Sequence, residues 1–206
     1  MKRIIYKIIV FTLMFCLLVP TLSGCAKEDE KTLIATAEAL IEKSKVVNEI
    51  CFGKGLSCMS EGGYILSGYV EASKEDCERY GISSTEDIKA LAREVYSVAA
   101  CDYIDQVIFA PVQTGSGFIS YRRYFDATED DVAHLMVKKE YEPLAVGEVS
   151  YTNVRVASQK RNRAEILVDI TVTEGDKTRT DKDVALTMRK ENDAWRLDTL
   201  TYASIE

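Results

Sequence analysis

The sequence predicts an α+β fold: N-terminal helices packed on a curved antiparallel sheet that ends in a four-stranded meander. Three observations carry this expectation. Apolar residues recur at three- and four-residue steps between positions 33 and 50, the spacing of one helix face. Ser84-Thr85-Glu86-Asp87 stands ahead of a second apolar series and has the chemistry of a helix start. From position 148 onward, four segments alternate apolar and polar residues across short polar turns. With three prolines and no internal repeat, nothing marks a flexible linker, so a single α+β domain is expected over 32–206.

Each element follows from local chemistry. The first helix should bury Leu33, Ala37, Leu40, Ile41, Ser44, Val47 and Ile50, and stop near Gly53-Lys54-Gly55. Residues 64–73 read as one strand and 74–81 as a charged connection. Ser84 should cap the second helix, with Ile88, Leu91, Ala92, Val95 and Tyr96 on its apolar face. Residues 97–109 either prolong that helix or begin another. Pro111, which has no backbone N–H, marks the end. Residues 118–125 alternate aromatic and polar side chains as a strand that pairs with 132–138. The meander takes 148–157, 164–172, 184–190 and 194–202. Ile166, Val168, Ile170 and Val172 on one side, with Glu165, Asp169 and Thr171 on the other, describe a sheet with one buried face.

The N-terminus carries a different signal. Lys2, Arg3 and Lys7 precede residues 8–19, apolar apart from Thr12, and then Pro20 and small residues. That order is a secretory signal peptide. It is too short for the ~20 apolar residues that cross a bilayer. Leu22-Ser23-Gly24-Cys25 closes the segment and resembles the lipobox of bacterial lipoproteins. The resemblance implies a signal peptide over 1–25 cleaved ahead of Cys25, a diacylglyceryl thioether on the Cys25 sulfur, and an extracytoplasmic domain held at the cell membrane by lipid. Residues 26–31 would then be a tether.

Residues 1–25 hold three basic and no acidic side chains, so the remainder carries 23 basic against 33 acidic ones. Such a chain lacks the Lys/Arg footprint that neutralises phosphates, which argues against a nucleic-acid partner and leaves the acyl chains to do the anchoring. Beyond Cys16 and Cys25 stand Cys51, Cys58, Cys77 and Cys101. Two states are open for these four: disulfides, with Cys51 and Cys58 the easiest local pair, or free thiols.

The segment 184–198 is a strand, the polar turn Glu191-Asn192-Asp193, and a second strand opening on Trp195. It resembles the terminal hairpin of the nuclear-transport-factor-2-like (NTF2-like, cystatin-like) superfamily. The resemblance implies a Trp195 packed under the sheet near the hairpin turn, and a pocket between helices and sheet. A wider order is similar to the secreted DL-endopeptidase-inhibitor family of Gram-positive bacteria. It comprises a leading helix, a strand, Ser84-Thr85-Glu86-Asp87-Ile88-Lys89-Ala90-Leu91, Val95-Tyr96-Ser97, residues 121–125 and the meander. Those proteins block cell-wall hydrolases without being enzymes. The similarity implies a non-enzymatic protein that contacts an envelope protein such as a cell-wall hydrolase. Asp126-Ala127-Thr128-Glu129-Asp130-Asp131 stands where that family has a glycine-bearing signature, so no inhibitor residue carries over.

Motifs of catalysis are missing. His134 is the single histidine and sits among Val132, Ala133, Leu135 and Met136 as one member of a strand, so no H-E-x-x-H motif exists. Glu129-Asp130-Asp131 with Asp126 nearby lacks the spacing of a calcium loop and reads as a solvated turn. Asp102 and Asp105 flank Tyr103 as the sole candidate acid–base pair, with no second marker. Neither glycine pair continues to G-K-[ST], and no G-x-S-x-G elbow is present. No catalytic residue, metal or cofactor is expected. The binding candidates are Tyr121, Arg122 and Tyr124, in a stretch with Phe118, Arg123 and Phe125, because tyrosine and arginine dominate interface hot spots. Strand alternation would place Arg122 and Tyr124 on one face and Tyr121 on the other. A carrier or sensor of a small molecule, and then an enzyme, are the alternatives to a protein partner.

Lipidation at Cys25 has a direct consequence. Cys25→Ala should leave an unprocessed precursor or release the chain from the membrane fraction; normal processing with full membrane retention would refute the lipoprotein reading.

Overall fold

A computed structural model describes residues 27–113, 119–144 and 147–201. The segment expected to be a signal peptide, with Cys25, Phe118 and Tyr202, lies outside these residues. Helix α1 spans Glu30–Cys51, with Asp29 accepting a hydrogen bond from Thr32 N as its cap. Its buried face includes all seven residues expected from the spacing, together with Cys51. The helix begins inside the segment expected to be a tether. Glu28 is held as well: its Oε2 accepts from Trp195 Nε1 at 2.5 Å and from Lys190 Nζ at 3.4 Å. The chain therefore joins the fold by Glu28.

Two further expectations change. Residues 64–73 form a hairpin, β1 (Ile65–Leu66) and β2 (Tyr69–Glu71), because Ser67 and Gly68 both take positive φ (44° and 89°) and reverse the chain. The charged connection is a helix, α2 (Lys74–Tyr80). Ser73 caps it by accepting from Asp76 N, and Gly81 ends it in the left-handed region at φ 66°.

Helix α3 (Thr85–Val95) starts as the sequence implies: Ser84 accepts from Asp87 N, and the Asp87 carboxylate accepts from both Ser83 and Ser84. Asp126 accepts from Thr85 N (2.9 Å) and Thr85 Oγ1 (2.6 Å), tying the helix start to the sheet. Ser97 caps a separate helix, α4 (Val98–Ile104), which passes into one π-helical turn, Asp105–Phe109. Pro111 opens β3 (Pro111–Gln113), paired with β4 (Ile119–Tyr121).

The strand expected over 118–125 is broken. β4 ends at Tyr121, the chain bends at Arg122 and Arg123, and β5 (Tyr124–Glu129) pairs instead with β6 (Val132–Lys138). Asp130 and Asp131 make the turn, with φ of 48° and 62°. One sheet runs β1-β2-β6-β5. The second is the meander β7 (Glu148–Lys160), β8 (Arg163–Glu174), β9 (Lys177–Glu191) and β10 (Ala194–Leu197), each strand beside the next.

Bulges curve the meander. The pairing register shifts between Thr152 and Arg155 and between Val168 and Ile170. Asn153 and Asp183 take positive φ there, and Asp169 binds both, accepting from Asn153 Nδ2 (2.6 Å) and Asp183 N (3.0 Å). The concave side holds a core shared by α1, α3, α4 and both sheets, from Leu33, Ile50, Ile88 and Ile104 to Leu135, Ile166, Met188, Trp195 and Leu197. A smaller cluster of Tyr69, Ala127 and Met136, flanked by Tyr64, Tyr121 and Phe125, lies apart from it on the first sheet.

Trp195 is 5% exposed. Trp195→Ala should cost about 3–5 kcal/mol in urea unfolding. A native emission maximum typical of an exposed indole, with unchanged stability of the variant, would contradict this burial.

Candidate functional site

The bend at 122–123 divides the predicted binding residues. Arg122 is exposed. Tyr121 is half-buried and stacks on Phe125, with ring centroids 4.4 Å apart and planes within 8°. The Tyr69 hydroxyl fixes it, accepting from Tyr121 N (2.7 Å) and donating to Tyr121 O (2.5 Å). Tyr124 departs from expectation: it is wholly buried, its hydroxyl donating to Ile50 O (2.8 Å) and accepting from Leu56 N (3.1 Å). It therefore offers no surface to a partner. Alternation fails here because the backbone bends between β4 and β5.

Arg123 is the residue that sequence reasoning undervalued. Its side chain is buried, with Nη1 donating to Cys51 O (2.8 Å) and Nη2 to Gly53 O (2.9 Å). The guanidinium also lies 4.0 Å from the centre of the Tyr141 ring. A cation at a helix C-terminus is stabilised by the negative end of the helix dipole and by the unpaired carbonyls there. Gly55 makes room: its φ is +77°, and a Cβ would stand 1.9 Å from Arg123 Nη2. The Gly53-Lys54-Gly55 segment is thus shaped around the guanidinium.

Tyr121 and Arg122 open onto a groove of about 540 Å³. Val107, Val112 and Leu144 supply apolar lining, and Arg122, Lys138, Glu140 and Glu142 add charges of both signs. Tyr141 lines the same groove, and its hydroxyl is buried without a hydrogen-bond partner among the described residues. Burial pushes the Tyr141 phenol above its ordinary range, against the pull of Arg123. Leu144 N donates to Phe52 O (2.8 Å), so the far wall is fastened to the end of α1. A groove with apolar walls and charges of both signs suits an amphipathic protein segment. A second cavity, about 370 Å³, lies between α1 and β7 and is lined by Asn48, Tyr151 and Thr201 among others.

The remaining candidates have other occupations. Cys51, Cys58, Cys77 and Cys101 are free thiols, so the local Cys51–Cys58 bridge is not formed. Burial pushes the Cys51 thiol up to about 12 and the Cys101 thiol up to about 11, and raises Cys58 and Cys77 as well. A thiol shifted upward is less nucleophilic at neutral pH. His134 Nδ1 stands 3.1 Å from Glu71 Oε1, and its ring lies 5.1 Å from that of Tyr64. Burial works to raise the Glu71 carboxyl, but the Tyr64 N–H and His134 outweigh it and hold it below its ordinary value. Asp102 is exposed, and Asp105 faces Lys89 at 3.9 Å. Among the described residues no group of three His, Cys, Asp or Glu side chains is arranged to hold a metal ion. No helix among them is long and apolar enough to cross a membrane.

The chain matches no protein-family model and no curated protein.

The two adjacent arginines should behave oppositely. Arg123→Met strands the Cys51 and Gly53 carbonyls and should lower stability by about 3 kcal/mol in urea titration. Arg122→Met should change it by less than about 0.5 kcal/mol. Equal effects would contradict the assignment of Arg123 as the structural member of the pair.

Proposed function

We propose that this chain is a lipid-anchored, extracytoplasmic, non-enzymatic binding protein of the bacterial cell envelope, and that the groove at Tyr121 and Arg122 receives a protein partner such as a cell-wall hydrolase. The observation that carries the reading is the contrast between interior and surface. Between α1 and the meander pack Leu33, Ala37, Ile41, Ile166, Val168, Leu186 and Met188, leaving the cavity at Asn48, Tyr151 and Thr201. The groove is open and mixed in charge, with an exposed arginine, Arg122, in its lining. The signal segment and the Leu22-Ser23-Gly24-Cys25 motif support the location. A long helix lying on an antiparallel meander whose last hairpin buries a tryptophan supports an NTF2-like or cystatin-like relationship for that half of the chain. The raised thiols support the non-enzymatic reading, since none has the character of an activated nucleophile.

The cavity between α1 and β7 favours a second reading, a carrier or sensor of a small polar molecule contacted by Asn48, Tyr151 and Thr201. One comparison separates the two. Recovery of envelope proteins on the lipidated chain should fall about tenfold or more with Arg122→Glu while the melting temperature stays the same. Unchanged recovery with Arg122→Glu, together with loss of function on Asn48→Leu, would replace the groove by the cavity.

A further inference from the structure

We propose that the rim of the meander beside the start of α1 is a docking surface for anionic phospholipid headgroups, which holds the domain end-on to the bilayer. The proposal rests on lipidation at Cys25. Residues directly opposite one another in an antiparallel pair share a face of the sheet. The register places Lys160 opposite Arg163, Arg163 opposite Arg189, and Arg189 opposite Arg196. One row of four cations therefore crosses β7, β8, β9 and β10. The adjoining residues Ala164, Met188, Trp195 and Leu197 are buried, so the row lies on the side away from the core. Like charges set directly opposite one another destabilise a sheet.

Two members of the row are engaged within the protein. Arg189 donates to Asp198 at 3.1 Å, and Arg196 Nε donates to the backbone oxygen of Arg93 at 2.9 Å. Lys160 and Arg163, with Arg161 in the turn between them, are exposed and form no ion pair among the described residues. The nearby carboxylates are largely committed: Glu28 to Trp195 and Lys190, Glu191 to Val98 N, and Asp198 to Ser97 and Arg189. Asp193 in the neighbouring turn, Glu165 two residues along β8 from Arg163, and Asp29 and Glu30 at the start of α1 are exposed and oppose the row.

The position of the chain start selects the partner. Besides the Trp195 and Lys190 contacts, the Gln159 amide stands against the backbone of Glu28; with its oxygen and nitrogen interchanged, the nitrogen donates to Glu28 O (3.1 Å) and the oxygen accepts from Glu28 N (3.0 Å). Cys25 precedes Glu28 by three residues, a reach of about 10 Å at full extension. Acyl chains on Cys25 bring this rim, and no other part of the fold, to the headgroups. Basic residues at that depth are attracted to an anionic leaflet, and the attraction fades within a Debye length. The rest of the chain carries an excess of acidic residues and is repelled. Attraction at one end and repulsion over the remainder fix the orientation.

The single tryptophan, Trp195, lies at this rim and reports on it. Full-length protein is taken from membranes, its N-terminal peptide is weighed for the lipid, and it is reconstituted in vesicles carrying a headgroup-linked energy acceptor. Energy transfer from Trp195 should be higher in phosphatidylglycerol vesicles than in phosphatidylcholine vesicles. The excess should vanish in high salt and in the triple variant Lys160→Glu, Arg161→Glu, Arg163→Glu, whose melting temperature should be unchanged or raised. Lipidated protein with equal transfer in both vesicles, or a variant that keeps the excess, overturns the docking surface and leaves the anchor intact. Protein without lipid at Cys25 overturns both.

Discussion

The end of α1 leaves the carbonyls of Ile50, Cys51 and Gly53 inside the protein, where bare acceptors are costly, and the donors come from one dipeptide, Arg123 and Tyr124. A guanidinium buried without a carboxylate is itself costly. Here the helix dipole, two carbonyl bonds and the Tyr141 ring offset that cost. Much else is arranged around this contact. Two consecutive side chains must both point inward, which a regular strand forbids, so β4 and β5 are separate strands in separate sheets. Gly55 has no side chain because the guanidinium occupies the space. Arg122 precedes the inward pair and is left outside, at the lip of the groove. The exposure of Arg122 at the groove is thus a by-product of closing a helix end.

The meander depends on polar chemistry of another kind. Asp169 is buried, yet it serves a bulge on each neighbouring strand, so one carboxylate sets the curvature of three strands. Under α1, the Thr201 hydroxyl donates to Ser44 Oγ (2.6 Å) and meets the Tyr96 hydroxyl (2.8 Å), while Asn48 bonds to both Thr201 and Tyr96. Every hydroxyl there has a partner within the protein. Burial raises the Tyr96 phenol against these bonds.

The periodicities of α1, α3 and the meander were legible because each has one face in the core and one in water. The hairpin at Ser67-Gly68 was hidden by the apolar run around it. The α2 caps, Ser73 and Gly81, stood in plain view but enclosed a helix with no buried residue, so no apolar face announced it. The groove was half legible: composition pointed to Tyr121 and Arg122, but alternation ranked Tyr124 with them and passed over Arg123. Tyr141 and Lys138 carried no local signal at all, since only the fold brings them beside Arg122. The cationic row was equally hidden, because it exists in the register and not in the order of residues.

The clamp between Glu28 and Trp195 and the bond between Asn48 and Thr201 join groups 167 and 153 residues apart. During synthesis, α1 emerges first and presents its apolar face while the strands that will cover it have yet to be made. Contacts between such distant partners form late, since a long loop must close before they are rewarded. These contacts under α1 therefore cannot form until Trp195 and Thr201 have been made.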